Sequence, residues 1–254
     1  MKARVYILMV FVCGSLFAQN NYDHFKKGNE FYNNGDFQEA IASYESIIES
    51  GEHSADLYFN LANAYYKMNQ VAPSIFYYEK ALQLAPTDQE IKNNLSYAQN
   101  MTIDDIEVIP ETGFSKISNS VINSFSFDVW AMIAVTLTLL FVILFLSYYF
   151  SYATHKKRIL FVFGFTSLAL GLFALTMAYQ KYGMVQNENS AIVFEQESEV
   201  KTDPNLRSET AFKLHEGTKV MILESFNDNW VKIRLADGKT GWIVLDDVKM
   251  LNKF

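Results

Sequence analysis

The stretch VWAMIAVTLTLLFVILFLSYYF, residues 129–150, carries no charged side chain, and ILFVFGFTSLALGLFALTMAY, residues 159–179, repeats that character after the short interval SYATHKKR. Each run is close to the roughly 20 residues that a helix rising about 1.5 Å per residue needs to cross hydrocarbon. Together they read as a membrane hairpin, with one transmembrane helix over 129–150 and a second over 159–179. Short loops rich in Lys and Arg stay cytoplasmic. The interval 151–158 holds His155, Lys156, Lys157 and Arg158, so it is expected inside, and everything before Asp128 and after Gln180 is expected outside. The second run also carries Gly164, Ser167, Gly171, Ala174 and Ala178, small residues at helical spacing that let another helix approach closely. Neither run contains an ionisable residue, so the hairpin reads as an anchor and not as a transport path.

Outward from the hairpin, the chain falls into a segment of roughly 110 residues before it and one of roughly 75 after it. Residues 1–18, with Lys2 and Arg4 ahead of the apolar run Val5 to Val12 and a close of Leu16-Phe17-Ala18, have the layout of a secretory signal peptide. Cys13 is the sole cysteine of the 254 residues. A mature chain starting after Ala18 would hold neither disulfides nor thiol chemistry. A lipoprotein anchor at Cys13 and an uncleaved signal anchor are the alternatives. The expected setting is a bacterial inner membrane, with both soluble parts periplasmic.

Charge is uneven. Residues 19–128 hold 16 acidic and 6 basic side chains, whereas those after Tyr179 hold 12 and 10. Such an acidic first module argues against nucleic acid and anionic surfaces as its ligands. Within it, a shift of 34 residues aligns Gly28 with Ala62, Phe31 with Tyr65, Ala40 with Ser74, Tyr44 with Tyr78 and Ile47 with Ala81, which is a helix-turn-helix period. Asp36 and Glu39 have capping-box spacing, Pro73 sits in the first turn of the matching helix, and Thr87-Asp88-Gln89-Glu90 announces a fifth helix over about 89–101.

Those small, aromatic and Pro positions resemble the tetratricopeptide repeat family over about 21–101, which implies an all-α repeat that binds peptides or proteins. In that family the first helix of each repeat lines the concave face. The resemblance therefore puts Tyr22, Phe25, Asn29, Tyr32, Asn60, Asn63 and Tyr66 in a ligand groove. Asn amides both donate and accept to an extended backbone, and aromatics supply contact area. Helix packing is the competing reading of Phe25, Tyr32 and Tyr66. Some members grip a terminal carboxylate with two Asn and several cations. Asn29 and Asn60 fit that scheme, while Phe25, Glu90 and Asn94 stand where cations would be. With only two and a half units present, something further is expected to complete the array. Between the modules, 103–128 is a linker in which Phe114, Ile117, Val121 and Phe125 recur at helical spacing. It reads either as a helix on the membrane surface or as a lead-in to the first span.

After the linker 180–189 the period becomes two. Residues 191–194, 220–223, 230–235 and 240–244 alternate as strands, and Ala236-Asp237-Gly238 supplies a tight turn. The runs Leu214-His215-Glu216-Gly217-Thr218-Lys219-Val220 and Asp237-Gly238-Lys239-Thr240-Gly241-Trp242-Ile243 resemble the bacterial SH3-like domain. That resemblance implies a small all-β barrel over 190–254 that binds peptides or cell-wall peptidoglycan without catalysis. Trp230, Asp203 and Arg207 are its candidate ligand residues, and Trp242 is expected in the core. Gly238-Lys239-Thr240 is no phosphate loop, because Ile233 stands where its first Gly belongs. His24, His53, His155 and His215 are scattered without metal-ligand spacing, and no Gly-x-Ser-x-Gly elbow occurs. No enzyme, cofactor or metal is expected.

The whole arrangement, a multi-domain membrane protein with a helical repeat, a hairpin and an SH3-like barrel, resembles the E branch of the Bat aerotolerance family of Bacteroidetes. The resemblance implies a non-catalytic scaffold acting with von Willebrand factor A-type membrane proteins and a MoxR-type ATPase system.

Overall fold

A computed structural model describes residues 22–107, 113–187 and 189–251. The expected signal peptide and Cys13 lie outside the described residues. The chain forms two compact units, one from the segments up to Val108 and from Asn189 onward, the other from Ile109–Glu188.

The first unit begins with five helices: α1 (22–34), α2 (Phe37–Glu49), α3 (Ala55–Lys67), α4 (Val71–Leu84) and α5 (Gln89–Gln99). Their starts follow from local chemistry. Ser54 Oγ accepts from Leu57 N–H, and Asp88 accepts from the N–H groups of Glu90 and Ile91, satisfying donors that a helix start leaves unpaired. The expected capping box at Asp36 does not form, since its side chain caps nothing at the start of α2. At Gly28 the two helices of the first repeat nearly touch. A Cβ there would lie 2.5 Å from the Tyr44 ring, which explains the small residue at that position.

The same unit continues as seven antiparallel strands: β1 (Ser190–Val193), β2 (Glu197–Lys201), β3 (Thr210–His215), β4 (Lys219–Phe226), β5 (Trp230–Arg234), β6 (Thr240–Val244) and β7 (Val248–Met250). Their order in the sheet is β3-β2-β6-β5-β4-β1-β7. Strands β1, β4, β5 and β6 fall where the alternation placed them. Strands β2, β3 and β7 do not announce themselves: β2 holds one large apolar residue, Val200, β3 sets Phe212 and Leu214 among polar neighbours, and β7 is only three residues long. The tight turn after β5 is closed by Leu235 N–H donating to Lys239 O at 2.9 Å and Gly238 N–H donating to Leu235 O at 3.0 Å. Inside, Ala191, Val193, Val200, Leu214, Val220, Val231, Ile233 and Ile243 make the sheet's core.

The repeat and the sheet share a second core. Ile192 and Leu251 pack with Val71, Ile75, Phe76 and Leu95 in one buried cluster. Burial of side chains this size is worth about 1.5–3 kcal/mol each. Around it, Phe194 meets Phe76 edge-on at 5.8 Å, and the Lys249 ammonium sits 4.7, 5.5 and 5.7 Å from the rings of Phe76, Phe194 and Tyr77. Polar groups hold the rim. Lys219 pairs with Glu79 at 2.8 Å, and Gln83 Nε2 donates to Leu251 O at 3.0 Å. Asp104, in the segment after α5, accepts from Thr218 Oγ1 at 2.6 Å and from His215 N–H at 2.7 Å, and its other oxygen meets His215 Nδ1 at 2.7 Å. Burial pushes the Asp104 carboxyl up. The hydrogen bonds from Thr218 and His215 outweigh burial and hold it below the usual carboxylate range. The sheet thus supplies what the short repeat array lacked, a neighbour for α4.

The second unit holds α6 (Gly113–Ile122), α7 (Phe127–Phe150) and α8 (Thr154–Asn187). Both α7 and α8 are long and apolar enough to cross a membrane. The small residues of α8 do receive α7. Gly171 would place a Cβ 3.5 Å from Leu137 and Thr138, Ser167 Oγ donates to Leu137 O at 2.7 Å, and Ala174 and Ala178 bury with Trp130 and Ala134. The basic interval differs from the sequence reading. His155, Lys156, Lys157 and Arg158 form the first turn of α8 and not a loop, leaving 151–153 as the connection. A helix satisfies its own backbone, which matters where water is scarce. Long basic side chains can still reach outward from it.

Candidate binding surfaces

In the repeat, two identical polar constellations stand 34 residues apart. Tyr44 OH donates to Asn29 Oδ1 at 2.7 Å, and Asn60 Nδ2 donates to the same oxygen at 3.0 Å. Correspondingly, Tyr78 OH donates to Asn63 Oδ1, and Asn94 Nδ2 donates to that oxygen at 3.3 Å. These bonds link α1 to α3 and α3 to α5, so the first helices of successive repeats form one layer. Burial pushes the Tyr44 and Tyr78 hydroxyls well above the ordinary phenol range, so both stay protonated donors at neutral pH. Packing repeats too. Phe25 tilts on Tyr44 and Phe59 on Tyr78, each with ring centroids 6.0 Å apart.

Each Asn therefore has a structural half and an outward half. Asn29, Asn60 and Asn63 are half-buried. Among the described residues, Asn29 Nδ2 and Asn60 Oδ1 have no partner, nor have Asn63 Nδ2 and Asn94 Oδ1. Tyr22, 67% exposed, is the freest of the aromatics named from sequence. Phe25 and Tyr32 lean on the core of the first repeat, with Tyr32 meeting Phe37 edge-on at 5.3 Å, and Tyr66 leans on the second core. The seven residues thus lie on one helix layer, with the three Asn knitted into it. Asn94 belongs beside them. Its signal was present, since Asn60 shifted by 34 is Asn94.

On the sheet, β5 and β6 turn Val231, Ile233 and Ile243 inward and Trp230, Lys232, Trp242 and Val244 outward. Cross-strand register places Trp230 opposite Val244 and Lys232 opposite Trp242. Phe226, 45% exposed, meets Trp242 edge-on at 6.0 Å, and Lys232 Nζ lies 5.5 Å from the Trp242 ring. Trp242 is therefore half-buried on the outer face and not in the core, where the sequence placed it. Its neighbour Gly241 fills the inward position, where a Cβ would lie 2.4 Å from Val200. The result is an aromatic outer face of Phe226, Trp230 and Trp242. Asp203 and Arg207 are exposed in the loop between β2 and β3. That loop is tied to itself by Thr202 N–H donating to Glu209 O at 3.0 Å and Ser208 Oγ donating to Asp203 O at 2.9 Å. Among the described residues no group of three His, Cys, Asp or Glu is placed to hold a metal ion.

The chain matches the tetratricopeptide repeat family over residues 55–88, a TPR repeat family over 28–69 and the bacterial SH3 domain family over 179–249. No curated protein matches it. Among solved structures, an NlpC/P60 family protein from Bacillus cereus is similar at 17% identity with a TM-score of 0.21, over 28% of this chain and 23% of that one. The chain thus spans less than a quarter of that relative's length, and a likeness that small carries no argument about activity. What the matches establish is tetratricopeptide-type repeats and a bacterial SH3-like domain joined in one chain that also holds two helices apolar enough to cross a membrane.

Proposed function

We propose that the protein is a non-catalytic, membrane-anchored adaptor. Its α1, α3 and α5 layer takes an extended segment of a protein partner, and its sheet presents a second binding face. The observation that supports this most is the docking of the sheet against α4. It seals one side of the repeat and leaves the outward halves of Asn29, Asn60, Asn63 and Asn94 available on the other. Extended backbone offers the alternating donors and acceptors that primary amides match. In this reading α7 and α8 span the bacterial inner membrane, the turn before Lys156 is cytoplasmic, and both binding faces are periplasmic. The resemblance to the Bat family favours von Willebrand factor A-type membrane proteins and a MoxR-type ATPase system as the setting.

Affinity capture from detergent-solubilised membranes tests this. Tyr22→Ala removes the most exposed aromatic of the layer while leaving both Asn–Tyr–Asn sets intact. Loss of captured partners at unchanged thermal stability is the expected result. Full retention of every partner by the variant would sink the reading.

A second reading, a cell-envelope sensor that binds peptidoglycan, is favoured by the aromatic face of Phe226, Trp230 and Trp242, which suits stacking on sugars or peptide bridges. Co-sedimentation of the full chain with purified cell wall, lost on Trp230→Ala, would support it over the adaptor.

A further inference from the structure

Helix α6 has an apolar side that its own unit leaves largely open. On a helix turning about 100° per residue, Ile117 and Val121 point the same way, and Phe125 follows just beyond the end. They are 64%, 37% and 46% exposed. Lys116, Ser120 and Asn123 occupy another side, all exposed, and Ser118, Asn119 and Ile122 turn inward. Exposed apolar groups aligned on one side of a short helix mark an interaction surface and not ordinary scatter.

Where that side sits is fixed by two hydrogen bonds at the helix's C-terminal end. Trp130 Nε1 donates to Ile122 O at 3.2 Å within a buried contact, tying α6 to the first turn of α7. Lys181 Nζ donates to Asn123 Oδ1 at 2.6 Å. Lys181 is the first charged residue of α8 after Arg158, so it marks the depth at which that helix leaves an apolar medium. Tyr182, one residue on, meets Phe127 edge-on at 5.7 Å, and Phe125 meets Trp130 edge-on at 5.2 Å. Aromatic rings with one wet end favour this depth. At 10 residues, or about 15 Å, α6 is too short to cross hydrocarbon.

From this we infer that α6 lies in the plane of the membrane interface, with Ile117, Val121 and Phe125 seated at the boundary between phospholipid headgroups and acyl chains and Lys116 facing water. The outward surface of α7 is apolar as well, with Met132, Val135 and Leu139 exposed. The helix then acts as a collar at the start of α7. The inference rests on reading α7 and α8 as spans.

The test uses the full chain with Cys13→Ser in nanodiscs of phosphatidylcholine containing phosphatidylglycerol. An environment-sensitive dye is attached in turn at Ile117→Cys, Lys116→Cys and Leu139→Cys. Quenching by lipids spin-labelled near the headgroup or deep in the acyl chain is compared with quenching by aqueous iodide. We expect the dye at 117 to be quenched several-fold more by the shallow lipid label than by the deep one, the dye at 116 chiefly by iodide, and the dye at 139 by the deep label. If 139 behaves so but 117 is open to iodide, the collar is wrong and the spans stand. If 139 escapes both lipid labels, the spans and the collar fall together. A dye at 117 shielded from lipid and iodide alike, with energy transfer between copies, means that a second copy covers the helix and also overturns the inference.

Discussion

The seam between the repeat and the sheet and the seam between α7 and α8 solve the same problem, joining two elements, by opposite means. The first surrounds an apolar centre of Ile75, Phe76, Ile192 and Leu251 with charge: Glu79 on Lys219, Asp104 on His215 and Thr218, Lys249 on three rings. The second has small residues, a cross-helix hydroxyl bond from Ser167 to Leu137 O, and ring contacts such as Trp130 on Phe173 and Phe141 on Phe165. In water, removing apolar area drives association and polar rims fix the geometry. Between lipid tails that drive vanishes, and only close approach and hydrogen bonding are left. The second seam has the features that two helices packed between lipid tails would need.

Cutting into the first seam should have the largest effect. Ile192→Ala removes a side chain buried in both modules and is expected to cost about 2–5 kcal/mol, measured by thermal or denaturant unfolding of the full chain. Gly217→Ala attacks the same seam by addition. The residue has φ of +87°, and a Cβ would come within 2.8 Å of Thr102 and 3.0 Å of Ile75 and Val71. Loosening of the sheet from α4, read as accelerated proteolysis between 101 and 107, is the expected result.

In the hairpin the corresponding change is Gly171→Leu. Overpacking where Leu137 and Thr138 already make contact should cost about 1–3 kcal/mol, visible as altered helix proximity in cross-linking between α7 and α8. The unfolding of the other unit should not change.

The polar rim comes next, and it carries a pH signature. Native Asp104 holds its proton more weakly than it would in the unfolded chain, so the unfolded chain binds the extra proton. Its stabilisation is fully present above the ordinary carboxylate range and is lost as pH falls through that range. Asp104→Asn should lower the melting temperature at neutral pH and flatten its fall on acidification. The smallest effect belongs to Lys219→Ala, which breaks a pair that is partly open to water and should cost less than about 1 kcal/mol.

Much of this was legible in sequence, and the failures have a common cause. The 34-residue shift exposes the repeat because the same packing problem recurs at Tyr44 and Tyr78. Period two exposes β4, β5 and β6 because their inner faces are large and apolar. Composition alone exposes the two long helices. What was not legible is everything that depends on a partner element. Ile192 and Leu251 look like ordinary core residues of the sheet, yet they serve the repeat. Trp242 looks like core until one sees that Gly241 takes the inward place. Asp104 sits in a patternless linker and becomes the chief polar clasp. The Asn layer fell between these cases. Its residues were identifiable, but their hydrogen bonds to one another needed the 31-residue spacing between Asn29 and Asn60, and between Asn63 and Asn94, to be read together with the period.

The central claim is that the repeat and the SH3-like sheet are one cooperative body. Native-state hydrogen exchange on the full chain, comparing wild type with Ile75→Ala, tests it most directly. Substitution in α4 should lower protection of the β1 and β7 amides in step with those of α4 itself. If α4 loses protection while β1 and β7 keep theirs unchanged, the two modules fold independently and the account is contradicted.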